Sequence, residues 1–378
     1  MKTLSVMIKP ASGLCNMSCE YCFYCDEAGK RIQQSYGMMA EETLKNVIRR
    51  TLLGAKGPVS YAFQGGEPTL RGLDFYRKVV TFQQQYNRNH VPVYNSLQTN
   101  GYAIDEEWCL FLQQNQFLVG VSVDGTRETH DAYRRSQQGT PTFQNVQKTI
   151  ELFDRFGVEY NILTVVNRGV AKRIEEIYDF YQKSSWNYQQ YIACMDPLEE
   201  ERGLREYALK PEEYGYFLIK LFDLWYADYF RGRQPYIRQF ENYAAILMGY
   251  VPEACEQMGV CTPQYVVEAD GSVYPCDFYA MDAYLLGNLN TDRLEVLDCR
   301  WTEMGFAQPS LQISDVCKSC AYYRLCRGGC RRNRELQPDG YYKNYFCSAY
   351  KMFFDACLER FREIIEIEKV VPQTRRRR

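Results

Sequence analysis

Over roughly its first 190 residues the chain alternates short β-type runs with longer helical patterns, and this alternation limits the fold more than any other feature. The β-type runs fall at 4–8, 59–63, 93–98, 118–123, 160–166 and 188–192. Helical periodicity occupies 41–53, 73–86, 106–114, 143–156 and 171–183 between them. Strands joined through helices pair in parallel, because a crossover is what a parallel connection needs. Six such units predict an α/β fold, a partial (β/α)6 barrel of the TIM type, open on one side, with chemistry gathered at the carboxyl ends of its strands. From about residue 211 the pattern turns helical and aromatic-rich, at 214–230 and 236–249. After Cys255 the periodicity fades and cysteines become dense as far as Cys347, and an amphipathic helix at 348–369 closes the chain. The expected organisation is a barrel over 1–234, a cysteine-rich domain over 235–370 and a tail over 371–378.

The formal net charge is −2, so no basic surplus exists to neutralise a phosphate backbone, and nucleic acid is not expected as a partner. The basic run at 375–378 is given no function. No apolar stretch is long enough to span a bilayer, and Lys9 interrupts the first one too early for a secretory signal; a cytoplasmic protein is expected. Sixteen cysteines amount to about 4% of the chain, below the roughly 8–10% of a disulfide scaffold. In a reducing compartment, thiols clustered this way bind metal more often than they pair. With only two histidines, His90 and His130, the chemistry must rest on sulfur, carboxylates and a cofactor.

Cys15, Cys19 and Cys22, spaced x3 then x2, lie directly after the first strand. Three thiolates so close can hold three irons of a cubane cluster and leave the fourth without a protein ligand. An open position lets a metal bind a small molecule directly. Zinc is the alternative, with Cys25 as a fourth thiolate. The uneven spacing and the strand-to-loop setting favour the cluster.

With Tyr21 before the last cysteine, this motif resembles that of the radical S-adenosylmethionine (SAM) superfamily, and further elements follow in the same order. The resemblance implies that the loop Gly65-Gly66-Glu67-Pro68 holds the SAM amino group. It also implies that Ser122 and Arg134 contact SAM and that Met195 packs near the adenine. Farther along, Cys261-x9-Gly271-x4-Cys276, then Cys317-x2-Cys320-x5-Cys326-x3-Cys330, then Cys347 resemble the SPASM extension of such enzymes. By that likeness Cys255, Cys261, Cys276 and Cys330 hold an auxiliary cluster near the active site, and Cys317, Cys320, Cys326 and Cys347 hold an outer one. The implied cofactors are three [4Fe-4S] clusters and SAM. Cys109 and Cys357 read as ordinary buried thiols, and Cys25, Cys194 and Cys299 receive no role.

The segments Ile8-Lys9-Pro10-Ala11-Ser12, Gln64-Gly65-Gly66-Glu67-Pro68, Gln98-Thr99-Asn100-Gly101 and Asp270 through Tyr279 extend the resemblance to anaerobic sulfatase-maturating enzymes. That family oxidises a cysteine or serine side chain in an unfolded or nascent sulfatase, in a Cys/Ser-x-Pro-x-Arg motif, to Cα-formylglycine. The resemblance makes Asp277, beside Cys276, the expected base for the proton lost as the carbon radical is oxidised. Tyr24 and Gln64 are candidates for the peptide channel, and an electron donor such as flavodoxin or ferredoxin is implied. The chief rival is a SPASM maturase that cross-links another ribosomal peptide. Such enzymes usually carry an N-terminal recognition domain, for which a cysteine loop beginning at residue 15 leaves no room. A pure electron carrier would not need the SAM-binding elements, and a zinc module would be iron-free.

Overall fold

The computed structural model describes residues 3–370; the arginine run at 375–378 lies outside the described residues. Packing divides the chain into two units. The first holds Met1–Leu163, Asp196–Glu200 and Pro263–Phe306, and the second Thr164–Met195, Glu201–Thr262 and Ala307–Arg378.

All six expected strands form: β1 (Leu4–Ile8), β2 (Val59–Phe63), β3 (Val93–Thr99), β4 (Leu118–Ser122), β5 (Tyr160–Val166) and β6 (Tyr188–Ala193). In the first unit β1 to β5 pair in parallel in sequence order. Alternate residues of β2 are fully buried, Val59, Tyr61 and Phe63, under helices Glu41–Leu52 and Leu73–Tyr86. Helix Glu41–Leu52 starts with Glu41 and Glu42 and ends with Arg49 and Arg50, each charge opposing the nearer pole of the helix dipole. Helix Glu106–Gln114 begins where Asp105 accepts the Trp108 amide, and Phe143–Phe156 stops at left-handed Gly157.

Three expectations need correction. The helix expected at 171–183 is two, Arg168–Lys172 and Ile174–Lys183: the Asn167 side chain accepts the Val170 amide and starts a turn earlier, and Arg173 departs from helical angles. At 236–249, Tyr236–Ile237 forms strand β7, parallel to β6, and the helix is Arg238–Leu247; β-prone Tyr-Ile goes to the ladder instead. The region where periodicity fades holds strands β8 (Tyr265–Val267), β9 (Ser272–Tyr274) and β10 (Gly287–Asn288). These strands belong to the first unit, where β8 runs parallel to β1 and antiparallel to β9. Asp270-Gly271 between β-formers is a hairpin signal, and Gly271 has a φ of 90°.

In the second unit the closing helix Cys347–Val370 packs along Pro211–Phe230. Aromatic rings pack there: Phe222 lies 4.4 Å from Phe361 across that seam, and Phe240 of helix Arg238–Leu247 stacks on Phe353 at 5.9 Å. No helix among the described residues is long and apolar enough to cross a membrane.

Candidate active site

The loop after β1 carries Cys15, Cys19 and Cys22, all part-buried, and helix Phe23–Gly29 starts directly after Cys22. Burial pushes the Cys15 thiol up to about 11 and Cys19 to about 12. Cys22 is drawn down to about 6 by a hydrogen bond from Cys25 and by the amides of Cys25 and Tyr24. Cys25 itself is exposed. Bare thiolates at two buried positions are costly, so this donor set fits a multi-iron cation that neutralises them.

The glycine loop after β2 is bolted to this cysteine loop. Gly66 N–H donates to Ser12 O at 2.8 Å and Glu67 N–H to Leu14 O at 2.7 Å. A Cβ on Gly66 would lie 2.6 Å from the Leu14 carbonyl carbon, and one on Gly65, whose φ is 124°, 2.8 Å from Ser12 O. Only glycine allows this approach. The Glu67 carboxylate is committed inside the scaffold. It accepts the Thr69 amide (3.0 Å) and hydroxyl (2.6 Å), the Thr99 hydroxyl (2.9 Å) and the Asn100 amide (2.8 Å). It thereby ties the carboxyl ends of β2 and β3 together. Asn100 in turn donates to Asn16 at 2.7 Å and reaches Cys15 Sγ at 3.6 Å.

On the other side of the cysteine loop, Asp124, just past β4, accepts the Tyr21 hydroxyl and, at 2.9 Å, Arg134 Nε. Arg134 is buried, places Nη1 3.9 Å from Cys19 Sγ and stacks over the Tyr21 ring at 5.4 Å. Burial works against its charge, but Asp124, Tyr21 and Cys19 hold it well above the ordinary value, so it is a fixed cation beside Cys19. Ser122 accepts from Gln98 at 3.2 Å. The structure thus gathers Tyr21, Gly65, Gly66, Glu67, Ser122 and Arg134 around the strand ends, whereas Met195 lies in the second unit, two residues past β6. Sequence reasoning missed Asp124, whose signal was its place directly after a strand end.

Asp277 opens a 3₁₀ turn immediately after Cys276 and is buried. Its Oδ2 accepts the Tyr24 hydroxyl at 2.7 Å and Gln64 Nε2 at 2.8 Å, and its Oδ1 lies 3.1 Å from Lys9 Nζ. Lys9 is also 3.6 Å from Glu268 and 4.7 Å from the centre of the Tyr24 ring. Arg31 donates to Glu268 at 2.8 Å. Burial opposes charge on Lys9, yet the carboxylates of Asp277, Glu268 and Glu27 outweigh it and raise its pKa. Burial, followed by the Asp277 charge, puts Tyr24 well above its usual value, so Tyr24 stays a neutral donor. Tyr24 and Gln64, expected to line a channel, therefore grip Asp277. Lys9 and Glu268 were missed, because buried ions leave no trace in a one-dimensional pattern.

In the second unit, Cys317, Cys320, Cys326 and Cys347 line one chamber of about 360 Å³ with Tyr322 and Phe354. Four thiols around a space of that size suit a multi-atom group rather than a single ion. Burial lifts Cys326 to about 12, and it does the same to Cys330, which feels Cys255 and Cys261. Cys276 belongs to the first unit. Buried Arg334, which sequence reasoning missed, donates to the carbonyls of Gly328 (2.9 Å), Ser310 (2.7 Å), Gly259 (2.8 Å) and Gly329 (2.8 Å), and so holds the loops that bear these thiols. Cys109 and Cys357 are buried, as expected for core thiols.

Residues 10–181 match the Radical SAM superfamily model, and 255–331 match SPASM, the iron-sulfur cluster-binding domain. A "Cysteine-type anaerobic sulfatase-maturating enzyme" of Clostridium novyi (strain NT) is 44% identical, over 94% of this chain and 95% of that protein. This chain is an anaerobic sulfatase-maturating enzyme by family. Within that family, a serine-type relative from Bacteroides thetaiotaomicron is 32% identical, over 93% of this chain and 89% of that protein. The solved structure of native anSMEcpe with bound AdoMet and Kp18Cys peptide superposes with a TM-score of 0.91 at 42% identity, covering 97% of this chain and 99% of that one. The parallel α/β fold expected from the strand–helix alternation, and the radical SAM fold with a cysteine-rich extension implied by the motif resemblance, match the fold of this maturase family.

Proposed function

We propose that this chain oxidises a cysteine side chain in an unfolded sulfatase polypeptide to Cα-formylglycine, with Asp277 as the base. As a radical SAM sulfatase-maturating enzyme it binds [4Fe-4S] clusters and AdoMet. When bound, these groups supply a one-electron cleavage whose organic radical removes a hydrogen atom from the target side chain. Cys15, Cys19 and Cys22 hold the cluster that does this, and Asn100 and Arg134 sit against Cys15 and Cys19. Ser122, Arg134, the backbone of the 65–67 loop and Met195 make the AdoMet site. Cys255, Cys261, Cys276, Cys317, Cys320, Cys326, Cys330 and Cys347, eight of the nine thiols in that stretch, hold two further clusters, giving three in all. The functional division at 1–234 and 235–370 follows this ligand chemistry, whereas by packing 263–306 groups with the barrel half.

The observation that carries the assignment of the base is the Asp277 carboxylate. It is buried, next in sequence to a cluster thiol, and oriented by two neutral donors and one cation. There it can take the proton of the substrate thiol, next to Cys276, which would help hold a cluster able to accept the electron. With cysteine, the thioaldehyde hydrolyses to the aldehyde; with serine the aldehyde would form directly. Preference for cysteine is supported by identities of 43–44% to cysteine-type relatives against 28–32% to serine-type ones. A reducing cytoplasm and a one-electron donor of the flavodoxin or ferredoxin class complete the proposal, with no nucleic acid or membrane involved. The test is anaerobic incubation of the reconstituted enzyme with AdoMet, a reductant and matched Cys-x-Pro-x-Arg and Ser-x-Pro-x-Arg peptides. Mass spectrometry should find aldehyde and 5′-deoxyadenosine, with the cysteine peptide consumed faster. Release of 5′-deoxyadenosine with neither peptide converted would refute it.

A further inference from the structure

Lys9 is fixed at three levels. Its backbone N–H donates to Val267 O at 2.8 Å, which binds it to the strand end preceding Glu268. Its stem lies against the glycine loop, where a Cβ on Gly65 would come within 3.2 Å of Lys9 Cβ and Cγ. Its ammonium, 1% exposed, sits between Asp277 Oδ1 (3.1 Å), Glu268 Oε1 (3.6 Å) and the face of the Tyr24 ring. Glu268 also has Arg31 at 2.8 Å, a cation it shares with Glu27 at 4.0 Å. Asp277 has no other cation within ion-pair distance among the described residues, and its second oxygen is occupied by Tyr24 and Gln64. The lysine head is nearer to Asp277 than to Glu268.

We propose that Lys9 is a positioning residue for the oxidation half of the reaction: by anchoring Oδ1 it sets the plane of the Asp277 carboxylate and so keeps hydrogen abstraction coupled to aldehyde formation. The inference rests on Asp277 being the base. Its signature is therefore uncoupling, which a merely structural lysine would not give. AdoMet is still consumed, but the aldehyde formed per 5′-deoxyadenosine falls.

Lys9→Met alone would leave Asp277 buried without a cation and Glu268 with only the Arg31 it shares with Glu27, so the main probe is the pair Lys9→Met with Glu268→Gln, which leaves the formal charge balance of this group of side chains as it was. In the reconstituted holoenzyme, iron content and peptide KM should stay near those of the parent. The rate of AdoMet cleavage should stay within about threefold, and the aldehyde per 5′-deoxyadenosine should fall by about tenfold or more. Glu268→Gln alone should keep the ratio. Lys9→Arg, with a longer and planar head in a sealed pocket, should lower it by an intermediate amount and serves as the readout if the double variant does not load iron. An unchanged ratio in the double variant or, failing that, in Lys9→Arg overturns the inference. So does equal uncoupling by Glu268→Gln alone. Asp277→Asn run alongside separates the two readings: if it too keeps its aldehyde, the base assignment has failed; if it alone loses aldehyde, only the role of Lys9 has.

Discussion

Replacing Gly66 with alanine should disable the radical half of the enzyme while leaving every cysteine of the 15–22 loop in place. The new Cβ would lie 2.6 Å from the Leu14 carbonyl carbon and 2.7 Å from that of Gly13, against an ordinary carbon–carbon contact of about 3.5–4.0 Å. Both neighbours are backbone, so the glycine and cysteine loops must separate by about 1 Å. That separation breaks the Gly66–Ser12 and Glu67–Leu14 hydrogen bonds. Each is worth about 1 kcal/mol net, and about 1–3 kcal/mol where the freed amide finds no water. The expected loss is about 3 kcal/mol, or a fall in melting temperature of roughly 4–7 °C. The greater effect is on rate, since moving the loop that bears Cys15 by about 1 Å should cost on the order of 10²-fold in AdoMet cleavage. Anaerobic melting curves and 5′-deoxyadenosine release measure the two effects. Gly54→Ala, with nothing within 4 Å of its new Cβ, is the control and should change neither. A Gly66→Ala enzyme that melts within a degree or two of the parent and cleaves AdoMet within about threefold would show that the loop lock is not what places the cluster.

Asp277→Asn should lower aldehyde formation by about 10²–10⁴-fold while AdoMet cleavage persists, as read by parallel quantification of the two products. Arg334→Met removes the donor shared by four loop carbonyls in the second unit, so iron per chain after reconstitution should drop and the second unit should lose proteolytic resistance. Glu67 supplies a pH test. Burial raises its pKa, so the folded chain holds that proton more tightly than the unfolded one, and stability declines as pH rises from the ordinary carboxylate value through Glu67's own. Glu67→Gln should remove that decline, seen as a difference between the melting-temperature profiles of variant and parent over the acid range. It should also lower stability at every pH, because its amide nitrogen faces a backbone N–H now met by the carboxylate, of Asn100 or of Thr69.

The strands and the longer helices were legible because periodicity and turn residues are local signals. The spacing of Cys15, Cys19 and Cys22 put three thiols on one loop after a strand, which is where the structure has them. Hydrogen bonds and ion pairs that join distant positions were not. Gln64 and Asp277 are 213 residues apart, Arg31 and Glu268 237, and Tyr24 and Asp277 253. Lys9 and Glu268 would be read as surface residues in any one-dimensional pattern, since charged side chains are seldom fully buried unless paired, and the pairing is visible only in three dimensions. Glu67 shows a mixed case. Its motif pointed to the cofactor through backbone groups, and nothing in it showed that the carboxylate turns inward to Thr69, Thr99 and Asn100.

The parallel pairing of β8 with β1 has a consequence for dissecting the enzyme. The hairpin that brings in Asp277, the proposed base, also shields the flank of the very strand that leads into Cys15, so both positions hang on one ladder. A fragment ending before residue 263 would bare the backbone amides and carbonyls of β1 to pairing with neighbouring molecules. It should precipitate rather than survive as a minimal AdoMet-cleaving core.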